Sequence, residues 1–273
     1  MNILIQKAKV IDPKGKHHNK VRDILITEGK IKKIASKIKA SKHPVFSAKN
    51  LHVSLGWFDL HANFRDPGFE YKEDINSGCR AAAKGGFTGV LLMPQNNPVT
   101  DNNAQVEYIH SKAKDNIVSV HAAGSLTKSI NGKEMVEMYD MKNAGAPSFT
   151  DDKKSVQQND VLKVALLYAK DFDGLIMNFP NDSSITNGGQ IHEGKISTAL
   201  GLKGIPAMAE EIMIDRDISL CEYTESKLHL SYISTKNSVS KIKKAKKQGV
   251  NISADVALHN LILTDEEIIH FDT

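Results

Sequence analysis

An α/β fold is predicted by three features of this 273-residue sequence. From about residue 51, short apolar runs alternate with longer amphipathic stretches, the rhythm of parallel βαβ units. Seven such runs can be counted, which points to a (β/α)8 barrel of the TIM type lacking its last strand. No glycine-rich G-x-G-x-x-G follows the first run, which argues against a doubly wound open sheet. The opening residues read differently, so the predicted organisation is a small β subdomain over 1–50 and an incomplete barrel over 51–273.

In the first part, 3–10 and 23–26 have the composition of strands, with turns at 12–15 and 28–29. Residues 31–38 partly alternate apolar residues with lysine, as a half-exposed strand or a short helix would. In the second part the strands are expected at 55–60, 89–93, 117–122, 146–149, 174–178, 228–233 and 250–254. Helices are expected at 75–84, 103–115, 156–170 and 239–249. A barrel with a gap leaves two unpaired edges. The expectation is therefore a piece of a longer chain, or a partner that fills the gap.

Forty per cent of residues are hydrophobic and 25% charged, the profile of a globular protein rather than a disordered or fibrous one. No run approaches the roughly 18–20 apolar residues of a membrane helix. The start, MNILIQKAKVID, lacks the regions of a signal peptide. A cytoplasmic protein without a membrane role is expected. Lysine and arginine number 36 against 32 acidic residues, a net charge of +4. The one dense run, Lys241, Lys243, Lys244, Lys246 and Lys247, has no interleaved aromatics. It reads as a solvated helix face, and no nucleic-acid partner is expected. Cys79 and Cys221 are too few for a disulfide scaffold and should be buried and reduced. No phosphate loop or nucleophile elbow occurs.

The chemistry is concentrated in 56–68, GWFDLHANFRDPG, at the C-terminal end of the first barrel strand, where barrel enzymes place their sites. Residues i and i+2 of a strand share a face, so His61 and Asn63 point the same way, with Arg65 just beyond. Two histidines at that spacing would grip one metal ion; here one is asparagine.

This segment resembles the amidohydrolase superfamily, and within it the class I dihydroorotases, whose first strand reads D-x-H-x-H-x-R-x-P-G. Residues 84–89 (KGGFTG), 93–98 (MPQNNP), 149–152 (FTDD), 192–194 (HEG), 200–206 (LGLKGIP) with Glu210, 233–235 (IST) and 255–261 (DVALHNL) are similar to further family segments, in order. The resemblance implies reversible closure and hydrolysis of a cyclic amide, between carbamoyl aspartate and dihydroorotate. That chemistry needs zinc, which lowers the pKa of water to about 7, an aspartate to shuttle a proton, and an arginine with an asparagine to hold the substrate carboxylate. Arg65 and Asn97 match the carboxylate binders, and His61 and Asp151 match two metal positions. Asn63, Asn178 and Tyr232 stand at three further ligand positions. The remaining ligand, an aspartate that also serves as base, is expected on an eighth strand outside the sequence.

A carboxamide oxygen is a weak ligand for zinc, and a phenol with a pKa near about 10 must lose its proton to ligate. At about 10- to 100-fold per lost partner, three losses amount to on the order of 4–8 kcal/mol. The expectation is a vestigial metal site with no cofactor, no catalytic residues, and a scaffold or regulatory role in pyrimidine biosynthesis. Aspartate carbamoyltransferase is then the implied partner, and a homo-oligomer the expected state. Two alternatives stand beside it: a working zinc-dependent cyclic amidohydrolase, and a sensor that binds a dicarboxylate through Arg65 and Asn97. Each residue also has an ordinary structural reading. Asp151 would look the same as a capping aspartate, Arg65 as the partner of Asp66 or Glu73, and Asn97 as a turn residue before proline. Asn178 and Tyr232 would look the same packed in a metal-free mouth, and a makeshift site of His61 with His229 and His259 is a further alternative.

Overall fold

The computed structural model describes residues 2–39 and 42–269, and the chain divides into two compact units, Met1–Trp57 and Phe58–Thr273. The division falls seven residues beyond the boundary expected at 50. In the first unit, β1 (Ile3–Ile11) pairs antiparallel with β2 (Val21–Thr27), and β2 with β3 (Lys30–Ala35). The two-residue hairpin between β2 and β3 places Glu28 and Gly29 at φ of 52° and 75°, the left-handed pair that matches strand twist. β4 (Val45–Phe46) and β5 (His52–Ser54) run parallel to β1. Leu4, Ala8, Val10 and Ile24 are the buried residues of this sheet. Asp23 is buried with them because its carboxylate accepts from the backbone of Lys7 and Ile38.

In the second unit the strands are β6 (Trp57–Ala62), β7 (Phe87–Leu92), β8 (Ser119–Ala122), β9 (Ser148–Phe149), β10 (Leu175–Asn178), β13 (Leu228–Leu230) and β14 (Ile252–Ala254). All seven expected strands form, shorter than or displaced from the expected ranges by a few residues. β6, β7 and β8 make one sheet and β9, β10, β13 and β14 another. The two are joined where Gly124 donates to Ser148 O and Thr150 donates to Gly124 O. Parallel pairs recur along this arc, at β7–β8, β9–β10, β10–β13 and β13–β14. Among the described residues, no strand pairs with the outer edge of β6 or of β14. Two short strands, β11 (Ile191–His192) and β12 (Gly204–Ile205), form a separate ribbon in the stretch between β10 and β13.

Helices α1 (Ile75–Lys84), α2 (Asn103–Ala113), α3 (Met138–Asn143), α4 (Asn159–Asp171), α5 (Ser183–Thr186), α6 (Lys195–Leu200), α7 (Met208–Thr224) and α8 (Lys236–Lys247) lie between the strands. The starts are written in the sequence: Asp74, Asn102 and Thr235 each accept a backbone N–H three residues on, which satisfies a donor that the first turn leaves free. None of the helices is long and apolar enough to cross a membrane, among the described residues.

The inner strands β7, β9, β10 and β13 are largely buried, so their sequences are near-continuous apolar runs, whereas β6 and β14 at the edges keep exposed residues. On β7, Val90 and Leu92 join the large cluster that includes Phe149, Leu162, Leu166, Ile176 and Leu228. The alternate residue Leu91, with Met93 just beyond the strand, belongs to a smaller cluster with Ala123 and Met177. The two-residue period therefore separates two packed layers.

Candidate functional site

The C-terminal ends of β6, β9, β13 and β14 bring a group of polar side chains together. His61 closes on Asp255, the residue after β14, with Nε2 2.5 Å from Oδ2. His229 of β13 reaches the same oxygen with its Nε2 at 2.8 Å, while its Nδ1 lies 2.8 Å from Ser253 Oγ. The other Asp255 oxygen accepts the Tyr232 N–H at 2.7 Å. Burial raises the pKa of Asp255, but hydrogen bonds from His229, His61 and the Tyr232 N–H together outweigh it and hold the carboxyl below its usual range.

Tyr232 lies against His61, with ring centroids 4.1 Å apart, and Phe179 meets Tyr232 edge-on at 6.0 Å. Burial, followed by the charges of Asp152, Asp255 and Asp59, pushes the phenol above its usual range. It is held as a neutral hydroxyl.

Asp152 is 3% exposed, and its carboxylate makes no well-formed hydrogen bond among the described residues, although the Tyr232 hydroxyl and the Lys153 N–H lie close enough to act on it. Burial raises its pKa, and Lys153, His61 and Arg65 pull it back in part. Three residues around the site, Arg65, Asp152 and Tyr232, have φ of 63°, 54° and 59°. Left-handed backbone is costly for side chains of this size, and such strain collects where a fold holds side chains for a task. All three follow the C-terminal ends of barrel strands.

The sequence-derived candidates separate on this geometry. His61 is in the cluster. Asn63 is half-buried, and its amide makes only a 3.5 Å contact with His61 O. Asp151 is turned elsewhere: Oδ1 accepts from Leu126 N and Thr127 N, and Oδ2 from Thr127 Oγ1 at 2.5 Å. It anchors a loop, as an ordinary capping aspartate would. Asn178 is also turned away from His61; its amide donates to Asp217 at 2.7 Å and accepts from Val156 N. Those two placements match the ordinary structural readings of Asp151 and Asn178 given above. Arg65 donates to Gln95 O and pairs with neither Asp66 nor Glu73 among the described residues. Asn97 is exposed, and its N–H donates to Pro67 O, so the loops carrying Arg65 and Asn97 are tied together. His259 is not part of the cluster.

Two residues missed by the sequence reading complete the arrangement. Asp152 sits one place beyond Asp151 in FTDD. Asp255 could have been found as an acidic residue directly after a barrel strand.

The family profile described as Dihydro-orotase-like matches residues 52–238. The chain belongs to this family. A dihydroorotase of Pelotomaculum thermopropionicum is 42% identical over 274 residues, covering 100% of this chain and 64% of the relative. One of Caldicellulosiruptor saccharolyticus is 44% identical over 276 residues, covering 99% and 64%. The chain thus spans about two-thirds (64%) of the length of these curated relatives. Among solved structures, L-hydantoinase (dihydropyrimidinase) from Arthrobacter aurescens superposes with a TM-score of 0.81 at 17% identity, over 99% of this chain and 61% of that one. Dihydropyrimidinase from Brevibacillus agri gives 0.76 at 18%, over 98% and 60%. These likenesses show the fold, which is the predicted α/β barrel.

The zinc that the resemblance implies meets a poor donor set at those positions: carboxamides at Asn63 and Asn178, a phenol at Tyr232, and an Asp151 carboxylate that accepts from Leu126 and Thr127. His61, His229 and Asp255 do converge, with one donor atom each and all three atoms within 4.8 Å of one another.

Proposed function

We propose that this chain carries the site of a dihydroorotase-type cyclic amidohydrolase, interconverting carbamoyl aspartate and dihydroorotate. The observation that carries the reading is Asp152. Opening or closing a cyclic amide moves a proton between the ring nitrogen and a base, and an efficient base must be near the reacting carbonyl with a pKa close to the working pH. A buried carboxylate with its pKa raised and the Tyr232 hydroxyl beside it meets that need. The Arg65 guanidinium suits a planar carboxylate, and the Asn97 loop is joined to its own. Tyr232, held neutral, is a hydroxyl donor for a carbonyl oxygen as negative charge develops on it.

The test is ring closure of carbamoyl aspartate followed by ultraviolet absorbance. Turnover above the protein-free rate is expected, with a loss of about 100-fold or more in Asp152→Asn. Equal rates for both proteins would remove Asp152 from the chemistry.

One observation favours a second reading, a non-catalytic scaffold: the Tyr232 ring covers His61 at 4.1 Å. In that case no turnover is measured and a pull-down with aspartate carbamoyltransferase succeeds.

A further inference from the structure

We infer that the barrel mouth is a single-ion centre, with one divalent transition-metal ion held by His61 Nε2, His229 Nε2 and Asp255 Oδ2. This ligand set differs from the one the sequence resemblance assigns, sharing only His61 with it.

Three features support the inference. First is the donor chemistry: two imidazoles and one carboxylate are the composition of three-ligand zinc sites that keep a fourth position open. Second is spacing. Bonds of about 2.0–2.1 Å place neighbouring ligand atoms of a tetrahedral ion about 3.3 Å apart. Here Asp255 Oδ2 is 2.5 Å from one imidazole nitrogen and 2.8 Å from the other. The two imidazole nitrogens lie within 4.8 Å of each other, so seating an ion takes a withdrawal of the carboxylate by less than about 1 Å together with whatever closure of the rings brings those nitrogens to the same spacing. Third is orientation. A metal-ligating histidine is normally aimed by a hydrogen bond at its other nitrogen, and His229 Nδ1 has Ser253 Oγ in that place. Asp255 is aimed by the Tyr232 N–H. His61 has no such partner at Nδ1; the Tyr232 ring holds it by its face.

The same chemistry explains why only one ion is accommodated. A second ion would need donors on the far side of His61. Asn63, two residues along from His61, offers only a carboxamide, and Asp151 is bonded to its loop. Asp152 remains as an unligated buried carboxylate beside the seat, available to substrate.

The experiment is calorimetric titration of the purified, chelator-treated protein with zinc chloride in the absence of substrate, repeated with cobalt chloride and read by visible absorption. A stoichiometry of one ion per chain is expected, with a cobalt spectrum of four-coordinate character. His229→Ala and Asp255→Asn should each weaken binding by about 100-fold or more, and Ser253→Ala by about 10-fold. Asn63→Ala should leave affinity within about twofold. Circular dichroism identifies any variant that has unfolded, and the Ser253→Ala and Asn63→Ala pair decides the matter if His229→Ala is one of them. Two ions per chain, no saturable binding, or wild-type affinity in Ser253→Ala and His229→Ala would overturn the inference. None of these readouts depends on turnover, so an inactive protein that binds one zinc refutes the proposed reaction and leaves the metal centre standing.

Discussion

Replacing Asn178 by alanine should destabilise the barrel and leave metal binding untouched. Asn178 is 2% exposed, and its amide donates at 2.7 Å to Oδ2 of Asp217, which is itself fully buried. Arg216 occupies the other Asp217 oxygen, with Nε at 2.9 Å and Nη2 at 2.6 Å. The alanine variant leaves Oδ2 of a buried carboxylate without its donor. A hydrogen bond to a charged group is worth about 1.5–3 kcal/mol. The Val156 N–H loses a long partner at 3.4 Å, which adds at most about 1 kcal/mol. The expected loss is therefore about 2–4 kcal/mol. At a urea m-value of about 3 kcal/mol/M, the midpoint falls by roughly 1 M. Urea unfolding followed by circular dichroism measures this, and zinc titration of the folded variant measures the other half. A variant within about 0.5 kcal/mol of the wild type, but with zinc affinity reduced tenfold, would refute the reasoning. It would return Asn178 to the ligand position that its motif suggested.

Two further outcomes follow from the same structure. Gly68 has φ of +96°, and a Cβ there would collide with the Asn97 carbonyl oxygen. Gly68→Ala should cost about 2 kcal/mol or more and, by forcing the Arg65 and Asn97 loops apart, weaken carbamoyl aspartate binding in calorimetry; unchanged binding would separate Asn97 from the site. Burial pushes the Cys221 thiol up to about 11 and raises that of Cys79 as well, so neither should react with a disulfide reagent near neutral pH until the protein is unfolded; prompt labelling of the native chain would contradict the packing around them.

The barrel was legible because its inner strands are buried and even the exposed edge strand β6 is rich in large apolar residues. Continuous apolar runs separated by capped helices carry a strong signal, and the expected α1 range coincides with the helix that forms. What escaped notice was α7, the longest helix at 17 residues. It buries Met213, Ile214 and Cys221 but exposes Met208, Ile212 and Tyr223. Its apolar residues are spread around the axis, so no single stripe announces it. The β11–β12 ribbon escaped for a different reason: strands of two residues have no period to detect.

The site was legible by position and illegible by direction. Motif spacing located the strand ends, but Asp151 was chosen over its neighbour in FTDD by the resemblance alone, and a strand's two-residue alternation past Phe149 is not available to decide between them. β9 ends at Phe149, and Asp152 enters the left-handed region at φ 54°, which buries the second aspartate beside His61 and Arg65. Tyr232 makes the same departure after β13 at φ 59°, which leaves its N–H on Asp255 and its ring over His61. Strained backbone at the ends of strands therefore decides which side chains meet, and it is set by tertiary contacts that no local pattern records. That is why the ligand set drawn from motif positions and the cluster that forms share only His61. It is also why the loss of imidazoles at Asn63 and Tyr232 does not by itself empty the mouth of metal-binding groups: His229, already a candidate partner of His61, and Asp255, at the head of the matched segment 255–261, supply two donors.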